Sequence, residues 1–426
     1  MRMRGVFRAS LAALVSLPSL LAAQRPATIP AGLVADVQYL SADQLGGRLT
    51  GTPGADSAAE YLARRFAAVG LQPAPGGWFQ TFDISATAPG AAATAAGERR
   101  ARNVIGILPG RDPDLRREAV IVGAHYDHLG GGEFGSLDPD STGKVHNGAD
   151  DNASGAAALV YIARELAATP QARTIVFIAF SGEELGLLGS QYYVKHAIYP
   201  LDRTRAMINL DMVGRMRNKR LIVYGTATAT EFSPLLDSLN WYQGFDLRKQ
   251  GDGYGPSDQS SFYAAHLPVL HIFTDLHEDY HRTTDDWQKL NFEGLARVID
   301  FTAGIASALA NRRAPLTFVD VPVTAHAAAP GDTVVTGGYG AYLGTIPDMS
   351  DSPGGVRLTG VRSGSPADKA GLRAGDIITR IGPHPVPDLQ GMTDALRRYQ
   401  AGDTAAIVIR RGDATVTLNA TFGTRN

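Results

Sequence analysis

The 426-residue chain contains no cysteine. That excludes disulfides, thiolate metal sites, a cysteine nucleophile and a lipid-anchored N-terminal cysteine. A basic surplus is also missing: 40 Lys and Arg stand against 42 Asp and Glu, for a formal net charge of -2. Nucleic acid is therefore excluded as a partner, since it calls for a basic footprint. After the first two dozen residues, no stretch reaches the ~18 uncharged apolar residues that a spanning helix needs. No internal repeat of roughly 20–50 residues is visible. The chain does have an ordinary globular composition, 44% hydrophobic and 19% charged. Its length predicts two or three domains.

The opening residues read as a targeting segment. Arg2, Arg4 and Arg8 form a basic start, Leu11 to Leu21 is an apolar run broken by Pro18, and Ala22-Ala23 offers small residues for cleavage. The run is short for a membrane span, so residues 1–23 are expected to be a signal peptide. The mature chain is then expected in a periplasm or outside the cell, with no membrane span once the signal is cleaved. Without disulfides, such a protein relies on its core.

Residues 30–312 alternate between helix and strand patterns. Ala55 to Ala68 carries apolar residues at helical spacing, while Arg102 to Leu108 and Ala119 to Gly123 are short apolar runs. Helices are expected over Gly155 to Leu166, Leu185 to Val194 and Phe292 to Ala310. Core strands are expected over Thr174 to Phe180, Met207 to Met212 and Val269 to Phe273. This repetition predicts an α/β protein with a mostly parallel central sheet covered on both faces. Sites in such sheets form at the carboxyl ends of strands. Residues 313–336 are rich in Pro, Ala, Thr and Gly and read as a linker with room for one packed strand; a second domain spans 337–424. Ala86 to Gly97 reads as a flexible loop.

Six residues suit a two-metal centre: His125, Asp150, Glu183, Glu184, Asp211 and His281. Imidazole and carboxylate are typical zinc ligands. Two metals ~3.5–4 Å apart need a ligand that touches both, which a carboxylate can do. Asp150 is the expected bridge. His125 and Asp211 would complete one site, Glu184 and His281 the other, for two Zn2+ per chain. Glu183 is left unliganded, placed as a general base that takes a proton and returns it to the leaving amine. Tyr280 could donate a hydrogen bond to an oxyanion. Asp127 and Asp285 are expected to orient the imidazoles of His125 and His281 from behind. His128, His146, His271 and His277 lie near these motifs and read as structural.

At these residues the chain resembles the co-catalytic di-zinc exopeptidases of the bacterial leucyl aminopeptidase type, whose wider family includes glutamate carboxypeptidase. The matching segments are Gly123-Ala-His-Tyr-Asp-His-Leu-Gly130, Asn147-Gly-Ala-Asp-Asp-Asn-Ala-Ser-Gly155, Phe180-Ser-Gly-Glu-Glu-Leu-Gly186, Asn209-Leu-Asp-Met-Val213 and Tyr280-His-Arg-Thr-Thr-Asp285. Gly46-Gly-Arg-Leu-Thr-Gly-Thr-Pro-Gly54 resembles the family's opening segment. The resemblance implies a three-layer α/β/α sandwich, two zinc ions and hydrolysis of N-terminal peptide bonds, with the roles above carried over. Gln259 stands where many relatives have His, which bears on the nearby substrate pocket. No protease-associated domain is expected between Phe82 and Asn103. A carboxypeptidase or dipeptidase on the same scaffold would need a cation for the substrate carboxylate, and Arg215 and Arg282 are the candidates. A one-zinc glutaminyl cyclase-like transferase is disfavoured by having both His125 and Asp211, and a non-catalytic adaptor by the complete ligand set.

The C-terminal segment Ser363-Gly-Ser-Pro-Ala-Asp-Lys-Ala-Gly-Leu-Arg-Ala-Gly-Asp-Ile-Ile378 resembles the central signature of PDZ domains, small β-sandwich or barrel modules. Tyr342, Leu343, Gly344 and Thr345 occupy the place of the carboxylate-binding loop, and Asp388 to Tyr399 that of the groove-lining helix. The resemblance implies a C-terminal peptide as ligand.

Overall fold

The computed structural model describes residues 28–84, 100–133, 136, 141, 143–253, 257–321, 341–347, 354–361, 364–387, 392, 395–396 and 398–423. The expected signal segment, the Ala86 to Gly97 loop, residues 322–336 of the linker and most of Asp388 to Tyr399 lie outside the described residues.

The first unit is a nine-stranded sheet between helical layers. Its strands are β1 (Gln72–Pro73), β2 (Phe79–Asp83), β3 (Arg100–Leu108), β4 (Ala119–His125), β5 (Thr174–Phe180), β6 (Thr204–Leu210), β7 (Arg220–Tyr224), β8 (Asp246–Lys249) and β9 (Val269–Phe273). The spatial order is β1-β3-β5-β4-β6-β9-β7-β8, with β2 on β3. The central pairs β5-β4, β4-β6 and β6-β9 are parallel, whereas β3 and β7 join antiparallel. The sequence pattern finds the central strands and misses β1, β2, β7 and β8. Those outer strands are short and half-exposed, so they lack the unbroken apolar runs of strands covered on both faces.

All seven residues of β4 and all seven of β5 are buried. Alternation along β4 divides the core between the two faces. Val120, Val122 and Ala124 pack with α1 (Leu33–Leu40), α2 (Pro53–Ala68), α3 (Gly155–Ala167) and, further along the chain, Phe292–Asn311. Ala119 and Ile121 face the layer that holds Tyr193 of α4 (Leu188–Lys195) and, past α5 (Phe232–Gln243), Phe262 of α6 (Gln259–Ala264). The long helix α7 (Phe292–Asn311) closes the first layer. Caps set the helix starts: Thr52 accepts from Ala55 N at the head of α2, where Pro53 holds the first helical position, and Asn291 accepts from Gly294 N at the head of α7. At Gly123 any Cβ would sit 2.4 Å from the Phe180 ring, so this strand position must stay bare. From β4 the chain crosses through α3 to β5 on one side, then returns to β6 on the other. The carboxyl ends of β4 and β6 therefore flank a switch point, where α/β sheets open a crevice.

Where α3 packs on α7, Glu165 and Asp300 share a hydrogen bond. Burial, then the charge of Asp300, push Glu165 up to about 7 from its ordinary 4.5. The folded state thus keeps a proton that the unfolded chain releases, and stability should fall as pH rises through that window. Glu165→Gln is expected to raise the melting temperature near pH 8 and to leave it nearly unchanged near pH 4.5. Thermal unfolding at both pH values checks this, and equal shifts at the two would refute it.

The second unit is an antiparallel sheet of β10 (Thr345–Pro347), β11 (Val356–Val361), β12 (Ile377–Ile381), β13 (His384–Pro385), β14 (Thr404–Arg411) and β15 (Ala414–Thr421), with the short α8 (Pro366–Lys369). Leu343, Leu358, Leu372, Ile378, Ile407 and Phe422 belong to its own core. Asp376 is buried and holds Arg411 by two hydrogen bonds of 2.7 Å, so the turn before β12 is tied to the end of β14. Among the described residues no helix is long and apolar enough to cross a membrane.

Candidate di-metal site

Strand ends and the loops after them bring the acidic and imidazole groups together. His125 is the last residue of β4, Asp211 follows β6, and Glu183 and Glu184 lie in a turn between β5 and α4. The Glu183 carbonyl accepts from the amides of Gly186 and Leu187, which closes that turn ahead of the helix. His281 sits in the loop after β9 with a left-handed φ of 55°.

At the centre is Asp151. Its Oδ1 lies 3.3 Å from His125 Nε2 and its Oδ2 lies 3.2 Å from His281 Nε2. On the first side, Asp211 Oδ1 is 3.2 Å from His125 Nε2, and Glu183 belongs to the same compact group. On the second side, Glu184 Oε2 is 3.3 Å from His281 Nε2 and Oε1 is 2.8 Å from His128 Nδ1. One carboxylate thus faces two clusters with one oxygen each, which is what a ligand shared by two ions requires.

The expected bridge, Asp150, is a correction. Its Oδ1 accepts from Gly214 N at 2.6 Å, and Oδ2 makes an ion-pair contact of 3.2 Å with His277 Nε2 that lacks hydrogen-bond alignment. The loop leaves helical geometry at Asp151 (φ -106°, ψ 90°), so the two neighbouring carboxylates point to different sides. Asp285 also differs from expectation. Its Oδ2 accepts from the amides of Asp150 and Asp151 at 2.9 and 3.1 Å, so it sets the central loop. Asp127 reaches His125 Nδ1 through its backbone oxygen at 3.2 Å, more closely than its carboxylate at 3.7 Å. That carboxylate accepts instead from Glu183 N and Glu184 N. Tyr280 stacks on the His281 ring with centroids 3.9 Å apart. His128 is the addition that sequence reasoning missed. Its place three residues after His125 was the available signal, but only the fold brings it onto Glu184. The other three histidines make structural contacts: His146 with Ser136, His271 with Asn209 and His277 with Asp150.

The electrostatics follow from crowding charge in a buried place. Burial works against a charged His281, yet the Glu184 carboxylate and hydrogen bonds to Asp151 and Glu184 raise it to about 10. Burial would raise Glu184, but His281 draws it down to about 2. Glu183 is pushed well above the usual carboxylate range by burial, against the pull of His125 and with the push of Glu184, Asp211 and Asp258. The carboxylates thus demand positive charge, which protons on the histidines or divalent ions can meet. Nitrogen and oxygen donors around a shared carboxylate are a set that suits zinc.

Residues 103–306 match the model of peptidase family M28, and residues 341–421 match that of the PDZ domain. The chain carries an M28 peptidase domain followed by a PDZ domain. The M28 domain is similar to the aminopeptidase YwaD of Bacillus subtilis, at 31% identity over 230 residues, 51% of this chain and 46% of that protein. It is also similar to leupeptin-inactivating enzyme 1 of Streptomyces exfoliatus, at 28% identity over 67% of this chain and 58% of that one. The chain spans about half the length of the curated relatives it matches. Among solved structures, a zinc aminopeptidase of Bacillus subtilis superposes with a TM-score of 0.53 at 20% identity, covering 67% of this chain and 98% of that one. A zinc-dependent exopeptidase of Parabacteroides distasonis gives 0.55 at 22%, covering 67% and 100%. These likenesses bear out the α/β fold with a central, mostly parallel sheet.

Proposed function

We propose that the chain is an exported aminopeptidase that works with two zinc ions. The observation that carries this reading is Asp151, whose two oxygens face His125 and His281 at 3.3 and 3.2 Å. His125, Asp151 and Asp211 would hold one ion; Asp151, Glu184 and His281 the other, with His128 bracing Glu184. When bound, the ions supply Lewis acidity, polarising the scissile carbonyl and acidifying the attacking water. Glu183 takes the proton of that water and delivers it to the leaving amine. Tyr280 donates a hydrogen bond to the oxyanion as the carbonyl carbon becomes tetrahedral. Asp127 accepts the amides of Glu183 and Glu184 and so holds base and ligand in one turn.

The substrates are peptides with a free N-terminus. On a carboxypeptidase reading, Arg215 or Arg282 would hold the substrate carboxylate; of these, Arg215 already donates Nη2 to Asp279 at 2.9 Å. The PDZ domain would take a C-terminal peptide at Tyr342, Leu343, Gly344 and Thr345, where Gly344 adopts a left-handed φ of 80°. Export rests on the basic start and apolar run of residues 1–23.

The test is zinc content together with hydrolysis of an aminoacyl-anilide panel, free and N-acetylated. Two zincs per chain and cleavage of free amines alone are the expected results. Cleavage of the blocked anilides would overturn the aminopeptidase assignment, and a carboxypeptidase would instead need N-blocked dipeptides with a free carboxylate. Zinc should also stabilise the fold, because it binds the assembled site and not the unfolded chain. Chelation is expected to lower the melting temperature, and an unchanged melting curve would count against the site.

A further inference from the structure

The chemistry above makes no use of Arg48, whose side chain heads the largest of the fully buried ones among the described residues. Its guanidinium lies among backbone oxygens. Nε donates to Tyr126 O at 2.7 Å, Nη1 to Asn147 O at 2.7 Å and to Leu40 O, and Nη2 to Gly148 O at 2.9 Å. Tyr126 directly follows His125. Asn147 and Gly148 open the loop that carries Asp151. A single side chain therefore ties the segment that follows His125 to the loop that carries Asp151.

The neighbouring residues extend the tie. Thr50 is fully buried and donates to Asp127 Oδ2 at 2.8 Å, and the Asp127 carboxylate accepts from Glu183 N and Glu184 N. Gly46 and Gly47 (φ 53° and 70°) make the turn that delivers Arg48. A Cβ on Gly47 would lie 2.5 Å from Gly130 O, so glycine is what allows the close approach. Burying a guanidinium among neutral carbonyls is costly unless its donors are satisfied and opposite charge is near. The carbonyls satisfy the donors, and the charges of Asp127, Asp151, Asp285 and Glu184 favour the cation. A role confined to filling space would not call for a charge in this position.

We propose that Arg48 and Thr50 are positioning residues forming a clasp that holds the His125 loop, the Asp151 loop and the Glu183–Glu184 turn in register before any metal binds. The inference rests on the two-zinc reading. Arg48→Lys keeps the charge and the stem but loses the planar fork that reaches both loops and the end of α1 at once. It is expected to weaken zinc binding by about tenfold, as changes behind metal ligands do. Thr50→Val keeps the shape, loses the bond to Asp127 and should weaken zinc by about threefold. Zinc Kd is read by competition with a chromophoric chelator, on full-length protein whose near-ultraviolet circular dichroism is native. A clasp that only supports the fold would lower the melting temperature and leave Kd alone. Both variants folded and within about twofold of wild type would overturn the proposal.

Hydrogen exchange on the metal-free wild-type protein gives a second test if a variant fails to fold. Slow exchange at amides 126–128 and 147–151 is expected without zinc. Fast exchange there, becoming slow only on adding zinc, would also overturn the clasp. A wild type that binds fewer than two zincs would instead refute the two-zinc reading, and the Kd ratios would still report on the clasp.

Discussion

Glu183→Gln is expected to leave both zinc ions bound and to lower kcat by about 10³-fold. The amide keeps the size of the side chain and cannot accept the proton of the attacking water. Glu183 shares its group with His125 and Asp211, but on the proposed reading those two and Asp151 would suffice as ligands on that side. The backbone amide of Glu183 still reaches Asp127 at 3.2 Å, so the turn should hold its shape. Zinc per chain by mass spectrometry, with kcat and KM on a free aminoacyl anilide, checks this. Loss of a metal would reassign Glu183 as a ligand. Unchanged turnover would remove it from the chemistry.

The second large effect separates two adjacent aspartates. Asp151→Asn leaves a single oxygen, which cannot serve both His125 and His281 clusters. It is expected to cost at least one zinc per chain and more activity than the ~10–100-fold lost on changes behind metal ligands. Asp150→Asn keeps an acceptor for Gly214 N and changes only the partner of His277. It should keep both metals and cost about tenfold or less in kcat/KM. The two variants are compared in zinc content and kcat/KM side by side. The reverse order would restore Asp150 as the bridge and contradict the placement of the loop.

The sequence carried much of this site, and the gaps have identifiable causes. His125 and Asp211 end apolar runs, so the strands that deliver them could be seen from hydrophobic pattern alone. Glu183 and Glu184 follow a buried strand in the same way. The sequence points to Asp150 as the bridge and Asp151 takes that place, because both residues lie in one motif and only the dihedrals at Asp151 decide which carboxylate faces inward. His128 was missed because its partner, Glu184, is 56 positions away. Sequence spacing pairs Asp285 with His281, four residues before it, yet it serves a loop 134 and 135 positions distant.

Composition and pattern by themselves determined an α/β domain with a buried central sheet, a second small domain, and an oxygen-and-nitrogen metal chemistry free of thiolate. Those follow from local facts: apolar runs, glycine turns, ligand-bearing residues at strand ends and the absence of cysteine. The tertiary structure alone decided which aspartate is shared, how the outer strands close the sheet, and that a buried arginine joins the loops. These depend on contacts between residues far apart in the chain, where hydrogen-bond direction and charge balance act only after the backbone has brought the groups within reach.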